Sequence, residues 1–517
     1  MNTSVQDFIQ QCHDKPDHSL DVSALLSQMR TWRDVLAQRI DQQGFVAHGL
    51  QQHSPLQQQF TALSSQLRRQ RATWEQQWTA LAPAQELAQR FEDKVMFLVF
   101  GKFNAGKSSL CNALAECFRL AEQKVTYLYL HNGQIIESQA GFKEGATETT
   151  ARLQGVCLGE QVILLDTPGL HSVTAENAAL TQLFMDSADG VLWLSSSSSP
   201  GQVQELEALA QELGRYKPVL PVITRSDQIE EDEIDGAIHT VLCNKSPTQR
   251  ALQQQDVEQR SKQKLAAMGV DVQLLRPAVS ISAQMLRQEG FSPQAMLSSG
   301  LSQLFAALLR LVIPAQAYKQ RKAAEIFLHY LQEKVLQPIC EIGTTALQQL
   351  TQQHLAMQRA LPSQQAQVIL QAWRRVVPQL PTLLQQHAYT QDLDAVYSTV
   401  SEWANQALNE QLAVQLVDYQ FQPLHAINWS LPDHIGYVRI PALTAEDQPT
   451  YAYDRLHAEL VGHLQHKLQQ QIAPVFEHCA ASLDTVARQL TDFERCLAEA
   501  AQELKHIAEQ MRMRQAA

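Results

Sequence analysis

Apolar positions along this chain repeat with two different periods, and the change of period divides it into three. Over residues 1–94 the period is helical: Leu25, Met29, Trp32 and Leu36 recur at four-three-four spacing, as do Leu56, Phe60, Leu63 and Leu67. Ser54-Pro55 supplies an N-cap and a first-turn proline for the second stripe, and Gly44 and Gly49 mark the break before it. Trp74 and Trp78 carry the apolar face on to Leu81 and are read as packing residues. From 95 to 313 short apolar runs replace the stripes, at 95–100, 162–165, 190–194, 219–223 and 278–281, with helical stretches between them. That alternation predicts an α/β domain with a mostly parallel sheet and crossover helices. The stretch 124–137, with His131-Asn132-Gly133, reads as an added strand pair, and 230–235 and 244–264 as a solvated insertion. A last helix bearing Leu301, Leu304, Phe305 and Leu308 is expected to end before Pro314.

Beyond 314 the helical period returns. Phe327, Leu331 and Val335 begin a stripe that Pro338 should kink or end. Residues 421–450 interrupt it: prolines at 423, 432, 441 and 449 alternate with Phe421, Trp429, Tyr437, Val438 and Ile440. Then Phe476, Cys479, Leu483, Val486, Leu490, Phe493, Leu497, Ala500, Leu504, Ile507 and Met511 alternate three and four without a miss. A seam of this length needs partners. The helices of 1–94 and of 314–420 would supply them within an elongated all-α bundle; a second chain would supply them in an intermolecular coiled coil. The expected plan is therefore a helical segment at 1–94, an inserted α/β domain at 95–313, and a helical stalk at 314–517 with a non-helical tip at about 421–450.

Length and composition narrow this picture. At 517 residues the chain exceeds what one core supports, in keeping with about three domains. No stretch reaches the ~18 uncharged apolar residues of a spanning helix, and 305–314 carries Arg310. The first residues lack the basic-then-apolar pattern of a secretion signal. The eight cysteines include no C-x-x-C pair, which suits a reduced cytosol. A net charge of −12 argues against a dedicated nucleic-acid surface and against simple attraction to anionic lipid.

The chemistry is concentrated in the middle third. Gly101-Lys102-Phe103-Asn104-Ala105-Gly106-Lys107-Ser108 fits G-x-x-x-x-G-K-[ST] between a buried strand and a helix. Such a turn aims successive N–H groups, and the positive end of a helix dipole, at a phosphate. Gly101, Asn104, Ala105, Gly106, Lys107, Ser108 and Ser109 are the candidate cradle; Lys107 neutralises phosphate and Ser108 ligates Mg²⁺. Asp166-Thr167-Pro168-Gly169 follows the next buried run, so Asp166 can hold Mg²⁺ through water and the Gly169 N–H can meet a γ-phosphate. Thr224-Arg225-Ser226-Asp227 follows another. There Asp227 can accept from guanine N1–H and the 2-amino group, a donor pair that adenine lacks, while Arg225 lays its stem on the purine face. Ser282 and Ala283 suit backbone contact with the guanine carbonyl. Between Ser108 and Asp166, the loop 145–150 offers a switch threonine to complete the Mg²⁺ shell, Thr150 first and Thr147 second.

These motifs, flanked by helices at both ends, resemble those of the bacterial dynamin-like proteins. Leu165-Asp166-Thr167-Pro168-Gly169-Leu170-His171-Ser172-Val173-Thr174, Asp186-Ser187-Ala188-Asp189 and Ser198-Ser199-Pro200-Gly201-Gln202 resemble the LeoA-type branch in particular. The likeness is one of motifs over 95–313 and of layout elsewhere. It implies a large GTPase hydrolysing GTP to GDP and phosphate with Mg²⁺, slow unless assembled, that dimerises through its GTPase domains or assembles further. It also implies work on membranes, with 421–450 as a peripheral contact on the inner membrane, and a paralogous partner. Three departures shape the expectation. Leu170 stands where Ras-like GTPases carry a water-orienting glutamine, and Phe103 cannot hydrogen-bond through its side chain. Thr224 replaces the usual asparagine of the base-reading motif. Asn104 matches the asparagine by which potassium-activated GTPases hold a cation, so K⁺ beside Asn104 is expected to take an arginine finger's place; the plainer reading bonds Asn104 to its own loop. A regulatory GTPase acting on RNA or ribosomes, and an assembly protein that hardly hydrolyses its nucleotide, are the alternatives.

Overall fold

The computed structural model describes residues 3–11, 22–42, 45–102, 104–131, 134–143, 154–166, 185–196, 203–234, 237–425, 435–441 and 450–513. Packing divides the chain into two compact units: Met1–Thr31, Glu75–Lys334 and His506–Ala517 form one, Trp32–Trp74 and Val335–Lys505 the other. This differs from the three-way partition at 94 and 313.

The first unit is built on an eight-stranded sheet. Its strands are β1 (Val95–Gly101), β2 (Val125–His131), β3 (Gln134–Ser138), β4 (Gln154–Leu158), β5 (Val162–Asp166), β6 (Gly190–Ser196), β7 (Val219–Thr224) and β10 (Val279–Ser280), and the order is β10-β7-β6-β1-β5-β4-β2-β3. Strands β10, β7, β6, β1 and β5 run parallel, while β4, β2 and β3 join antiparallel. Four of the five apolar runs form strands reaching one or two residues beyond their expected C-terminal ends; the fifth shrinks to Val279–Ser280. Alternation along β1 fills two cores. Val95, Phe97 and Val99 pack with Leu110 and Leu114 of the helix Lys107–Leu120, while Met96, Leu98 and Phe100 pack with Leu206, Leu209 and Leu213 of the helix Val203–Gly214.

Three expectations change in this unit. The first helix, Thr3–Gln11, joins the sheet domain's core instead of a helical bundle: Phe8 meets Phe118 and Phe305 at ring distances of 6.1 and 5.6 Å. Its Val5-Phe8-Ile9 face is the only apolar stripe that segment has to bury. The acidic insertion is a hairpin, β8 (Asp227–Ile234) with β9 (Ala237–Asn244), followed by the helix Pro247–Ala267, which a Ser246/Gln249 capping box opens. And the closing helix does not stop before Pro314 but runs Leu301–Tyr330 through it. The proline costs about 3 kcal/mol, while burial of Leu311, Val312 and Ala315 on either side outweighs that loss. Pro338, by contrast, does mark a change. A π-helical turn, Leu331–Leu336, precedes it and seats the proline in the first turn of the helix Gln337–Val376. The run Leu301–His387 is long and apolar enough to cross a membrane by length and composition, with mean hydropathy 1.2 in one window, half of which is buried.

The second unit is a helical bundle. Every seam residue from Phe476 to Leu504 on the helix Asp454–Met513 is 7% exposed or less, and Ile507 and Met511, which belong to the first unit, are 5% or less, so the seam is filled without a second chain. Gly343 lets the helix Gln337–Val376 approach so closely that a Cβ there would lie 2.5 Å from Leu497. Trp32 donates its indole N–H to the Ala500 carbonyl at 3.1 Å, and Phe45 packs between Phe60 and Phe493. Ser54 caps the helix Pro55–Ala72 as its sequence requires. Of the interrupted segment, Tyr437 turns inward, donating to the Leu384 carbonyl at 2.8 Å, while Val438 and Ile440 on β11 (Val438–Ile440), paired with β12 (Thr450–Ala452), are exposed. Trp429 lies outside the described residues.

A buried ionic group closes the first unit. Glu325 is fully buried, with Arg321 Nε 2.7 Å, Arg512 Nη2 3.0 Å and His329 Nε2 3.3 Å from its oxygens. Burial pushes its carboxyl up, but His329 and Arg512 outweigh that and hold it at about 2. The stabilisation is therefore present above the unfolded value of 4.5 and lost as pH falls from there toward 2. Glu325→Gln should lower the urea midpoint at pH 7, by roughly 3 kcal/mol of stability for two guanidinium groups left without a counter-charge. It should also flatten the pH dependence between 4.5 and 2, measured by unfolding at a series of pH values.

Candidate functional site

The site lies at the C-terminal ends of the parallel strands, where β1 and its neighbours deliver their loops. Between β1 and the helix Lys107–Leu120 the chain needs unusual backbone angles. Gly101 has φ +150 and Gly106 φ +85, with Asn104 left-handed at φ 61. At Gly101 a Cβ would stand 2.3 Å from the Leu194 carbonyl oxygen, so this glycine is what lets the turn sit against β6. The first-turn N–H groups that follow have no partner within the helix. This is the geometry of an anion cradle.

Lys107 is buried and reaches back over the turn, its Nζ donating to the carbonyls of Gly101 at 3.1 Å and Lys102 at 2.9 Å. Burial lowers its pKa, with the charges of Asp166 and Glu205 opposing the shift. Asp166, at the end of β5, is 0% exposed; its Oδ2 accepts from Ser108 Oγ at 2.6 Å and from Gln154 Nε2 at 2.7 Å. Burial raises its pKa against the pull of Lys107, Ser108 and Gln154. Its Oδ1 is buried and has no hydrogen-bond partner among the described residues. Among the described residues no group of three or more His, Cys, Asp and Glu is placed to hold a metal. One hydroxyl and one carboxylate beside a phosphate cradle are the oxygen donors that Mg²⁺ combines with phosphate and water. Ser108 and Asp166 fit that ion.

The base-side motif is tied to this turn. Thr224 Oγ1 donates to the Ala105 carbonyl at 2.7 Å, and Arg225 Nη2 donates to the Asn104 carbonyl at 2.9 Å. Threonine thus braces the phosphate turn from the end of β7 with a single hydroxyl. Asp227 receives the Ser282 hydroxyl at 2.5 Å, and Ser282 also caps the helix Ala283–Gln288 by accepting from Met285 N at 3.2 Å. Asp227, Ser282 and Ala283 accordingly stand together at the mouths of β7 and β10, while Ser109 lies in the cradle's helix. The Asn104 side chain is exposed, and no hydrogen bond to it is found among the described residues. Phe103, Thr147, Thr150, Gly169 and Leu170 lie outside the described residues.

Sequence patterning missed two residues of this site. Gln154 lies directly across the sheet from Asp166, and Glu205, 2% exposed, accepts from Trp193 Nε1 at 3.1 Å close to Lys107. A polar residue opening an otherwise apolar strand was the available signal for Gln154. Glu205 gave none, since one acid in a polar helical turn is unremarkable.

Sheet, turn and paired motifs define a P-loop GTPase domain, and residues 96–225 match the family model described as 50S ribosome-binding GTPase. The chain belongs to the family of an uncharacterized protein of Acinetobacter baylyi, to which it is 44% identical over 509 residues, 98% of this chain and 99% of that one. It is similar to the LeoA bacterial dynamin GTPase from ETEC, at 13% identity and TM-score 0.31, over 98% of this chain and 96% of that chain. It is also similar to the translation elongation factor SelB of Methanococcus maripaludis, at 16% identity and TM-score 0.23. That match covers 44% of this chain and about a third (34%) of the elongation factor.

Gly101→Ala should be among the most damaging single changes here, because the new methyl meets a backbone oxygen in a strand that cannot withdraw. A loss of about 3 kcal/mol or more is expected, read as a fall in thermal midpoint without any nucleotide present.

Proposed function

We propose that this chain is a dynamin-like GTPase that binds GTP with Mg²⁺, hydrolyses it to GDP and phosphate, and uses the cycle to drive self-assembly and membrane remodelling or vesicle release. The observation that supports it most is the Asp227 carboxylate fixed by Ser282 on the same strand ends as the phosphate turn, with Thr224 joining the two. In this reading Lys107 exchanges two carbonyls for phosphate oxygens, and the helix N–H groups after Gly106 hold the β-phosphate. Ser108 and Asp166 would hold Mg²⁺, whose charge would offset that of the phosphates. Asp227 accepts from the guanine edge and so excludes adenine. Thr150 or Thr147 completes the metal shell, and the Gly169 N–H meets the γ-phosphate. When two GTPase domains pair, Asn104 would help hold a K⁺, which would supply the positive charge of an arginine finger worth ~10³–10⁵ in rate. The exposed Asn104 side chain, with no hydrogen bond among the described residues, leaves its oxygen available for that ion. A peripheral contact through 421–450, which includes the exposed Val438 and Ile440, serves the membrane step.

A regulatory GTPase acting on RNA or ribosomes has in its favour the match to the family of 50S ribosome-binding GTPases over residues 96–225, and a net charge of −12 against it.

Nucleotide competition tests the core of the reading. GTP should displace a fluorescent guanine nucleotide and ATP should not, and Asp227→Asn should weaken guanine nucleotide at least tenfold while admitting xanthine nucleotide. Equal displacement by ATP would overturn it. Hydrolysis should run faster in KCl than in NaCl, and Asn104→Ala should erase the difference; equal rates for the unmodified protein would remove the cation from the mechanism. Liposome flotation of wild type beside Trp429→Asp tests the membrane step, which fails where wild type stays unbound with and without GTP.

A further inference from the structure

We propose that Gln154 is a positioning residue of the magnesium site, locking the Asp166 carboxylate so that Oδ1 is the oxygen turned to the metal's water shell. The inference rests on the GTP–Mg²⁺ reading above and adds a residue outside every phosphate-binding and base-reading motif.

Gln154 opens β4 and is the direct antiparallel partner of Asp166 at the end of β5, so both side chains leave the sheet on one face. Its Nε2 lies 2.7 Å from Asp166 Oδ2 and 3.5 Å from Ser108 Oγ, and Ser108 Oγ is 2.6 Å from the same Oδ2. Turning the amide over would put its carbonyl oxygen against a carboxylate, so the nitrogen is the end that faces Asp166. A single hydroxyl donor leaves a carboxylate free to swing about its last torsion. Two donors converging on one oxygen from different elements fix its plane and divide the labour between the two oxygens. Oδ2 is satisfied by the protein, and Oδ1, equally buried, has no partner among the described residues. Gln154 is itself only 7% exposed, so water does not compete for the amide. Ser108 can keep its proton on Oδ2 and still offer a lone pair to a cation, so the arrangement survives metal binding.

The test follows release of mant-GDP from the full chain across a Mg²⁺ titration, against release in EDTA. Gln154→Met, of similar length but without a donor, should need about tenfold more Mg²⁺ for half-maximal slowing, the loss expected for a hydrogen bond to a charged group. Its release rate in EDTA should stay near wild type, and its thermal midpoint should fall only by what one lost hydrogen bond to a buried carboxylate costs. Gln154→Asn, whose amide is one methylene too short, should shift the same way and serves if the methionine variant folds poorly. Val156→Ala on the same strand should lower the thermal midpoint and leave the Mg²⁺ midpoint alone. A wild-type Mg²⁺ midpoint in folded Gln154→Met or Gln154→Asn overturns the assignment, as does an equal change of release in EDTA. Wild-type release that ignores Mg²⁺ overturns the GTP–Mg²⁺ reading, and this one with it.

Discussion

Much of the first unit depends on one buried carboxylate, Asp189, at the entry to β6. Its Oδ2 accepts from the Met96 N–H of β1 at 2.7 Å, while its own N–H donates to the Met96 carbonyl at the same distance. Lys322, from the helix Leu301–Tyr330, places its Nζ 2.8 Å from Oδ1, and Lys319 Nζ stands 3.8 Å from Oδ2 while donating to the carbonyls of Phe91 and Lys94. The base of the central strand, its parallel neighbour and a long helix are thereby pinned by charge. Burial lowers Lys322 to about 8, so the pair is a costly one to bury. Its return is in register: a slip of β1 against β6 would strand an anion and a cation in an apolar core, and the turn at Gly101 would lose its seat against Leu194.

The neighbouring charges extend that logic. Arg215 joins Glu333, Glu212 and Asp186, Lys217 pairs with Glu212 at 2.8 Å, and Arg512 lies over the Tyr216 ring at 4.1 Å while contacting Glu325. Asp186 and Asp189 directly follow the segment that begins with Asp166-Thr167-Pro168-Gly169. The core of the unit therefore has its ionic contacts on the strand-entry side of the sheet and its polar site at the strand exits.

What could be read in the sequence was local. The phosphate turn is a strand, a loop and a helix within a dozen residues, and the seam from Phe476 is one helix with one period. Both formed as the spacing required, because each carries its own physics in adjacent residues. The features that escaped are those that need a second segment. Gln154 gains its role only when β4 pairs with β5, and the Asp189 cluster unites residues more than a hundred positions apart. The first helix could not be assigned to a core by its own amphipathic stripe, since Val5, Phe8 and Ile9 suit any apolar surface. Pro314 misled for the same reason: its cost is visible in sequence, whereas the packing of Leu311, Val312 and Ala315 that offsets it is not.

The site's charged groups share one further property. Lys107 is bonded to two carbonyls, Asp166 to a hydroxyl and an amide, and Asp227 to a hydroxyl. Among the described residues none is paired with an opposite charge at bonding distance, yet each is held in a fixed orientation by neutral dipoles. Such partners stabilise a buried charge enough to keep it in place, and they give way to a ligand that offers a full charge or a better-aligned donor. Had Lys107 been salt-bridged to Asp166, phosphate would have to break an ion pair before making one. Instead Ser108 and Gln154 hold the carboxylate through Oδ2, and Lys107 is held by backbone carbonyls. Orientation is thus settled before any ligand arrives, and little of the ligand's interaction energy is consumed in arranging the site.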